Sequence, residues 1–314
     1  MGSPNRGNIG ELALNYFLKG RSMKPPRFQY CAPSALDEAL TLLGQCGPDA
    51  KVLAGGQSLI PLLNMRLAAP MYLVDINRIA ELDYIEARDD YLAIGALTRH
   101  RQVEQSALIQ QRYPLLTDVV QHIGHTQIRN RGTIAGSIAH ADPAAELPAL
   151  LACLDGEVVA RSVSGQRILK ASQLFTGYLS TVLEPDEVLT EVRFPWLSPQ
   201  AGWAFMEFAR RSGDYALAGM AAVVTPTRDS RCQSAQISYV GIASTPQRAH
   251  NVEALLIGTT LDHKTLDAAA EVATHLVSDE LSDVHAAPEY RRSLTAELTK
   301  RVLRIAWQRC QQQL

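Results

Sequence analysis

Two short stretches of this chain combine glycine with small hydroxyl residues: Leu53-Ala54-Gly55-Gly56-Gln57-Ser58-Leu59 and Thr133-Ile134-Ala135-Gly136-Ser137. Glycine lets a backbone come close to a ligand because no Cβ intervenes, and successive N–H groups in such turns converge on an anion. Ser58, Thr133 and Ser137 can add hydroxyl donors. A helix starting after Ser58 would add free N–H groups and the positive end of its dipole. These are the requirements of a pyrophosphate. Either stretch alone reads more readily as an ordinary turn; the two together, with the second leading into His140-Ala141-Asp142-Pro143-Ala144-Ala145-Glu146, point to a diphosphate site. Neither G-x-G-x-x-G nor G-x-x-x-x-G-K-[ST] occurs, which disfavours Rossmann and P-loop binding.

Other chemistry-bearing residues are less organised. His122, His125 and His140 lack a carboxylate partner at metal-site spacing, so no metal site is expected. Asp142, Glu146, Glu207 and Asp214 form no evident acid–base pair, and Asp142-Pro143 reads as a turn. Cys31, Cys46, Cys153, Cys232 and Cys310 stand singly, which argues against a zinc or iron–sulfur centre built from this chain and for reduced, core-packed thiols in the cytoplasm. Arg129 and Arg131 flank the second stretch and could either neutralise phosphate or face solvent. Tyr215 is open between a core aromatic and a ligand contact.

The elements that must position these residues follow from apolar patterning. Lys51–Ala54 reads as a strand running into Gly55-Gly56, followed by a helix-like stretch over 59–66 and a second strand over 72–76. Leu36, Ala39, Leu40 and Leu43 make one helical face ending near Gly44. Further on, the pattern predicts a strand over 91–96, a helix over 113–122, a loop over 131–137, an apolar helix over 145–154, a hairpin turning at Ser164-Gly165 and a strand over 186–194. Trp196–Pro199 reads as a linker. Strands over 203–209, 217–225 and 235–242 then precede helical periods from Pro246, Asp262 and Pro288. A formal charge of −2 gives no reason to expect nucleic acid or an anionic membrane as partner. No stretch approaches the roughly 18 apolar residues of a membrane span.

At the two glycine stretches the chain resembles the FAD-binding medium subunits of the xanthine oxidase and carbon monoxide dehydrogenase family. Ala54–Leu59 is similar to that family's first diphosphate loop, and Gln127–Ser137 to the segment carrying the second. Gly213-Asp214-Tyr215-Ala216 is similar to an element whose aromatic residue lies near the flavin ring. The resemblance extends from Met23 to about Gln311. It implies an α+β fold: two FAD-binding subdomains of the vanillyl-alcohol oxidase (PCMH) type, plus a C-terminal domain of a three-stranded antiparallel sheet with a helical layer. The divisions expected are a leader or vector-derived segment over 1–22, in which Ile9 to Phe17 would form a short helix, then 23–80, 81–197 and 198–314.

The resemblance also implies a role. Non-covalent FAD would be held by Leu53–Leu59 (Leu53, Ala54, Gly55, Gly56, Gln57, Ser58, Leu59) and by Thr133, Ile134, Ala135, Gly136 and Ser137. Glu146 falls where the family places an aspartate touching the cofactor, Leu189 at an apolar contact, and Tyr215 near the flavin ring. No side chain would act as acid, base or nucleophile. A large subunit would carry the molybdenum cofactor and a small one two [2Fe-2S] clusters, in a dimer of heterotrimers; FAD would pass electrons to an external acceptor. The alternatives are a stand-alone flavin oxidoreductase on this scaffold and a non-enzymatic assembly subunit. Two departures stand out: Ala135 replaces the first of two glycines, and Met206-Glu207 stand where some relatives place a lysine near the flavin.

Overall fold

The computed structural model describes residues 24–312; the expected leader and its short helix lie outside the described residues. The first unit is a parallel sheet of β1 (Gln29–Cys31), β2 (Ala50–Leu53) and β3 (Tyr72–Asp75) in the order β1-β3-β2. Parallel neighbours need crossovers rather than hairpins. Helix Leu36–Cys46 supplies one and Leu59–Asn64 the other. The first buries Leu36, Ala39, Leu40 and Leu43, the face that spacing predicts. It runs past Gly44 to Cys46 and stops at Gly47, whose φ of 53° is the left-handed value glycine tolerates.

The second unit is antiparallel. It contains β4 (Ile85–Ala87), β5 (Tyr91–Gly95), β6 (Glu157–Ser162) and β7 (Gly165–Lys170). After the small β8–β9 ribbon (Phe175–Gly177 and Ser180–Thr181), β10 (Val188–Pro195) inserts between β5 and β6, giving β4-β5-β10-β6-β7. Ser162 pairs with Gly165, so the hairpin turns at Val163-Ser164 rather than at Ser164-Gly165. The 113–122 helix begins at Pro114, where a missing N–H leaves no bond unmade, while the buried Tyr113 donates its hydroxyl to the Pro195 carbonyl at 2.8 Å. The largest revision concerns 131–137. Ile134–Ser137 is no loop but the first turn of helix Ile134–His140, which packs against β5 and β10.

The third unit is the antiparallel sheet of β11 (Gly202–Phe208), β12 (Ala218–Pro226), β13 (Cys232–Val240) and a two-residue β14 (Gln247–Arg248). The three long strands match the expected sheet, and β14 extends its edge. Helices His250–Leu256, His263–Thr274 and Pro288–Gln311 form the layer on one side. β12 is apolar almost throughout because both its faces are covered. Ala218, Met220, Ala222 and Val224 point into the core shared with these helices, whereas Ala221 and Val223 point into the core of the first two units. The Glu146–Cys153 helix packs on this second face, so one side of its N-terminus looks toward the glycine-rich segments. Among the described residues no helix is long and apolar enough to cross a membrane.

Candidate functional site

The two glycine stretches meet. A Cβ on Gly55 would collide with the Arg131 carbonyl oxygen and lie 2.8 Å from the Gly132 Cα, so only glycine lets the segments touch. Gly56 has a different reason: its φ is +74°, strained for any side chain, and a Cβ would lie 3.1 Å from Ile60 Cγ1. Gln57 turns back, donating from Nε2 to the Gly55 carbonyl at 3.2 Å. Across the junction, Thr133 caps its helix by accepting the Gly136 N–H at 3.1 Å, which leaves its own O–H free to donate. A Cβ on Gly136 would lie 2.6 Å from that same oxygen, so this glycine makes the cap possible. Ala135, in the place of a family glycine, is buried in the core.

A polar tether holds the junction. Asn77 donates from Nδ2 to the Ala54 carbonyl at 2.8 Å and to Asp75 Oδ1 at 2.5 Å. Arg99 then links Asn77 to the second stretch, donating to Asn77 Oδ1 at 2.5 Å and to the Arg131 carbonyl at 2.9 Å. The flanking arginines are therefore assigned. Arg129 is structural, pairing with Glu104 at 3.3 Å and donating to the Ile123 and Gly124 carbonyls. Arg131 contributes its backbone while its side chain is exposed. Beneath the junction His100 is 4% exposed, and neither ring nitrogen has a partner among the described residues. Burial pushes its pKa down to about 4, so the ring is neutral.

A cleft of about 720 Å³ opens from this junction, within the size range of small-molecule and cofactor sites. Ala54 to Leu59 and Thr133, Ala135, Gly136 and Ser137 line it together with Glu146, Leu189 and Tyr215. Leu53 and Ile134 do not; Leu53 packs beside Gly56, and Ile134 is fully buried. Tyr215 is 68% exposed, which excludes the core reading of this ring. Its segment is held because Gly213, at φ +85°, lies so close to His125 that a Cβ would stand 2.6 Å from the ring Nδ1.

The opposite wall is acidic and buried. Glu146, at the N-terminus of its helix, is 8% exposed, and its pKa is raised by burial first and then by Glu207 and Asp142. The Glu207 side chain is 6% exposed; one carboxylate oxygen lies 3.6 Å from His122 Nδ1 and the other has no partner among the described residues. Contact with Glu207 holds the His122 pKa above its ordinary value. Among the described residues Lys51 is the one Lys or Arg on the lining, against Asp142, Glu146, Glu184, Glu187 and Asp214. A bound diphosphate must therefore rely on backbone N–H groups, hydroxyls and helix ends rather than on paired cations.

Sequence reasoning missed the Asp75–Asn77–Arg99 tether, His100, and the Leu179–Leu189 wall that closes the cleft beside β9 and β10. Asn77, two residues beyond a strand's final Asp, is a weak signal at best. Nothing local marks Arg99 or the 179–189 segment. Among the described residues no group of three or more His, Cys, Asp or Glu is placed to hold a metal ion.

Fold and cleft define a two-part flavin-binding scaffold with an appended sheet-and-helix domain. Residues 26–197 match the model of the FAD-binding domain in molybdopterin dehydrogenase, and 203–306 that of the CO dehydrogenase flavoprotein C-terminal domain. The chain belongs to this family of FAD-binding oxidoreductase medium subunits. It is 43% identical over 287 residues to the 6-hydroxypseudooxynicotine dehydrogenase complex subunit alpha of Paenarthrobacter nicotinovorans, covering 91% of this chain and 97% of that protein. To the carbon monoxide dehydrogenase medium chain of Hydrogenophaga pseudoflava it is 37% identical, over 92% of this chain and 100% of the relative. A solved carbon monoxide dehydrogenase from the same organism superposes with a TM-score of 0.88 at 38% identity, covering 91% of this chain and 99% of that one. Quinoline 2-oxidoreductase from Pseudomonas putida 86 superposes at 0.86, with 38% identity over 91% of this chain and 98% of the other.

Proposed function

We propose that the cleft holds one non-covalent FAD, with its diphosphate across the two glycine stretches, and that the chain relays electrons within a multi-subunit molybdenum hydroxylase. The observation that carries this reading is the Gly55–Gly132 contact, which brings both stretches to one cleft of cofactor size. The residues fit the group: Gly55, Gly56 and Gly136 bring backbone without a Cβ to the cleft, helices begin after Ser58 and Thr133 on its lining, and Thr133 keeps a hydroxyl to donate. Tyr215 offers an exposed ring for a flat partner and Leu189 an apolar contact. FAD supplies the two-electron redox chemistry; the chain contributes binding, orientation and electrostatic environment.

Within this reading the chain divides into FAD-binding subdomains over 23–80 and 81–197 and a C-terminal domain over 198–314. Its partners are a large subunit with the molybdenum cofactor and a small subunit with [2Fe-2S] clusters, assembled in the cytoplasm as a dimer of heterotrimers. Support comes from the relatives, one named as a subunit of a dehydrogenase complex and one as a medium chain. A matching solved structure is described as lacking the Mo-pyranopterin moiety of its molybdenum cofactor. The test is to purify the full-length protein and precipitate it with acid. One equivalent of FAD should appear in the supernatant; colourless protein, or colour retained in the pellet, sinks the proposal. Co-purification with a molybdenum-bearing and an iron–sulfur subunit tests the relay role.

A further inference from the structure

We propose that His125 is a positioning residue for the flavin site: its ring is the seat that sets Tyr215 in register with the glycine junction. The inference rests on the FAD reading of the cleft and extends it to a residue outside the cleft lining.

Tyr215 lies in the loop over 209–217 that joins β11 to β12, and at 68% exposure no core grips its ring. Its position is therefore set by the backbone on either side. On the C-terminal side the third unit holds it from within. The buried Arg291 donates from Nη1 to the Leu217 carbonyl and, at 2.9 Å, to the Gly241 carbonyl. Gly241 packs so closely that a Cβ on it would stand 2.8 Å from the Ala216 carbonyl oxygen. On the N-terminal side the support comes from the second unit. A Cβ on Gly213 would lie 2.5 Å from His125 Cε1, 2.6 Å from its Nδ1 and 3.1 Å from the Gly124 carbonyl carbon. These fall inside the roughly 3.5–4 Å of an ordinary contact, so Gly213 rests directly on the imidazole and on the turn before it.

That seat is clamped. Gly124 takes a left-handed φ of 50°, and Arg129 donates from Nη1 to the carbonyls of Ile123 at 3.2 Å and Gly124 at 3.1 Å. Arg129 is fixed in turn by Glu104, at 3.3 Å from its Nε, and both side chains are largely withdrawn from water. A pair so placed is little screened by salt.

The same element reaches the diphosphate end. His125 precedes the Thr126–Arg129 helix, and its carbonyl accepts the Arg129 N–H at 3.0 Å. Just beyond that helix the Gly132 N–H donates to the Ile128 carbonyl at 2.7 Å, and Gly132 is the residue that Gly55 touches. One short helix thus carries the seat of the Tyr215 loop at its start and the glycine junction at its end. A cofactor held at both places depends on that spacing, because small displacements of a reacting ring change rates steeply.

The experiment uses the full-length protein purified with its flavin. Flavin absorbance, flavin fluorescence and reoxidation of the dithionite-reduced flavin by ferricyanide are compared across variants. His125→Ala removes the seat, and because the residue is exposed, FAD content and melting temperature should stay near wild type. Fluorescence should shift and the reoxidation rate should change by about threefold or more, in the direction that Tyr215→Ala gives. His125→Phe keeps a flat ring beneath Gly213 and should return both readings to wild type. Gly213→Ala should disturb them, and adding His125→Ala should lessen the disturbance, since the new methyl group then has room. Wild-type fluorescence and rate in His125→Ala overturn the proposal, as does a Gly213→Ala effect that is the same with and without the imidazole. Loss of FAD from His125→Ala, or His125→Phe behaving like His125→Ala, also overturns it. If wild type carries no FAD, the FAD reading fails and this inference with it. If FAD is bound and Tyr215→Ala moves the readings while His125→Ala does not, the role of His125 alone is wrong.

Discussion

The two walls of the cleft are built on opposite principles. At the glycine junction the main chain does the work: Gly55 clears Arg131, Gly136 makes room for the Thr133 cap, and Asn77 and Arg99 tie carbonyls of both segments together. At the Glu146 wall, side chains are withdrawn from water and set against one another. The buried ionisable groups differ accordingly. Burial lowers the pKa of His100 beneath the junction, whereas burial first and then the Glu207 charge raise that of Glu146. A backbone site tolerates almost no change of shape, while an electrostatic site tolerates shape changes but responds to pH.

The sharpest way to break this comparison is Gly55→Val. Its side chain would push the two segments apart, and FAD affinity should fall by at least about 100-fold, or roughly 3 kcal/mol. Gly44→Ala, with only Val163 in ordinary contact, is the control and should keep its flavin. Equal flavin absorbance in the two purified proteins would remove the junction from the site.

Arg99→Ala should have the next largest effect. It deletes charge-assisted bonds to Asn77 and to the Arg131 carbonyl, so a loss of about 1.5–3 kcal/mol in stability is expected. FAD affinity should drop about tenfold as the segments loosen. Unchanged affinity by fluorescence titration would show that the glycine contact alone sets the junction.

The two walls should also respond to pH with opposite signs. His100 has a depressed pKa, so its contribution to stability is full above its unfolded value of 6.5 and is lost as pH falls toward about 4. Glu146 has a raised pKa, so its contribution is full below its unfolded value of 4.5 and is lost as pH rises toward about 8. Melting temperature should therefore decline on both sides. His100→Gln should flatten the acid limb and Glu146→Gln the alkaline one. Limbs that neither substitution alters would assign the decline to other groups.

Tyr215→Ala should do least to the fold. At 68% exposure its truncation is expected to change stability by no more than about 0.5 kcal/mol. Flavin content should stay near wild type while flavin fluorescence and the rate of reoxidation change. Wild-type fluorescence in a folded variant would leave the ring without a role at the cofactor.

Much of the scaffold was legible because it depends on local pattern. The Leu36–Leu43 face, the strand leading into Gly55, and Pro288 at the start of its helix are all set by spacing within a few residues. The second stretch reads locally as a loop because Gly132 and Gly136 are poor helix formers, yet Ile134–His140 is a helix. Thr133 outweighs that weakness by capping the helix, and Ile134 and Ile138 by burying its face. β12 hints at its own situation: an unbroken apolar run needs cover on two sides, but it does not say which partners provide it.

The sequence by itself determined that two glycine stretches would lie beside strand and helix starts, since backbone freedom and periodicity are properties of short segments. Only the tertiary structure decided that Gly55 faces Arg131, that Arg99 ties Asn77 to the Arg131 carbonyl, and that the buried Glu207 carboxylate stands beside His122. Those relations join residues far apart along the chain, brought together by the crossovers of the first sheet and the two-sided packing of β12. Charge acts through space, so the character of that wall could not be read from neighbours in sequence.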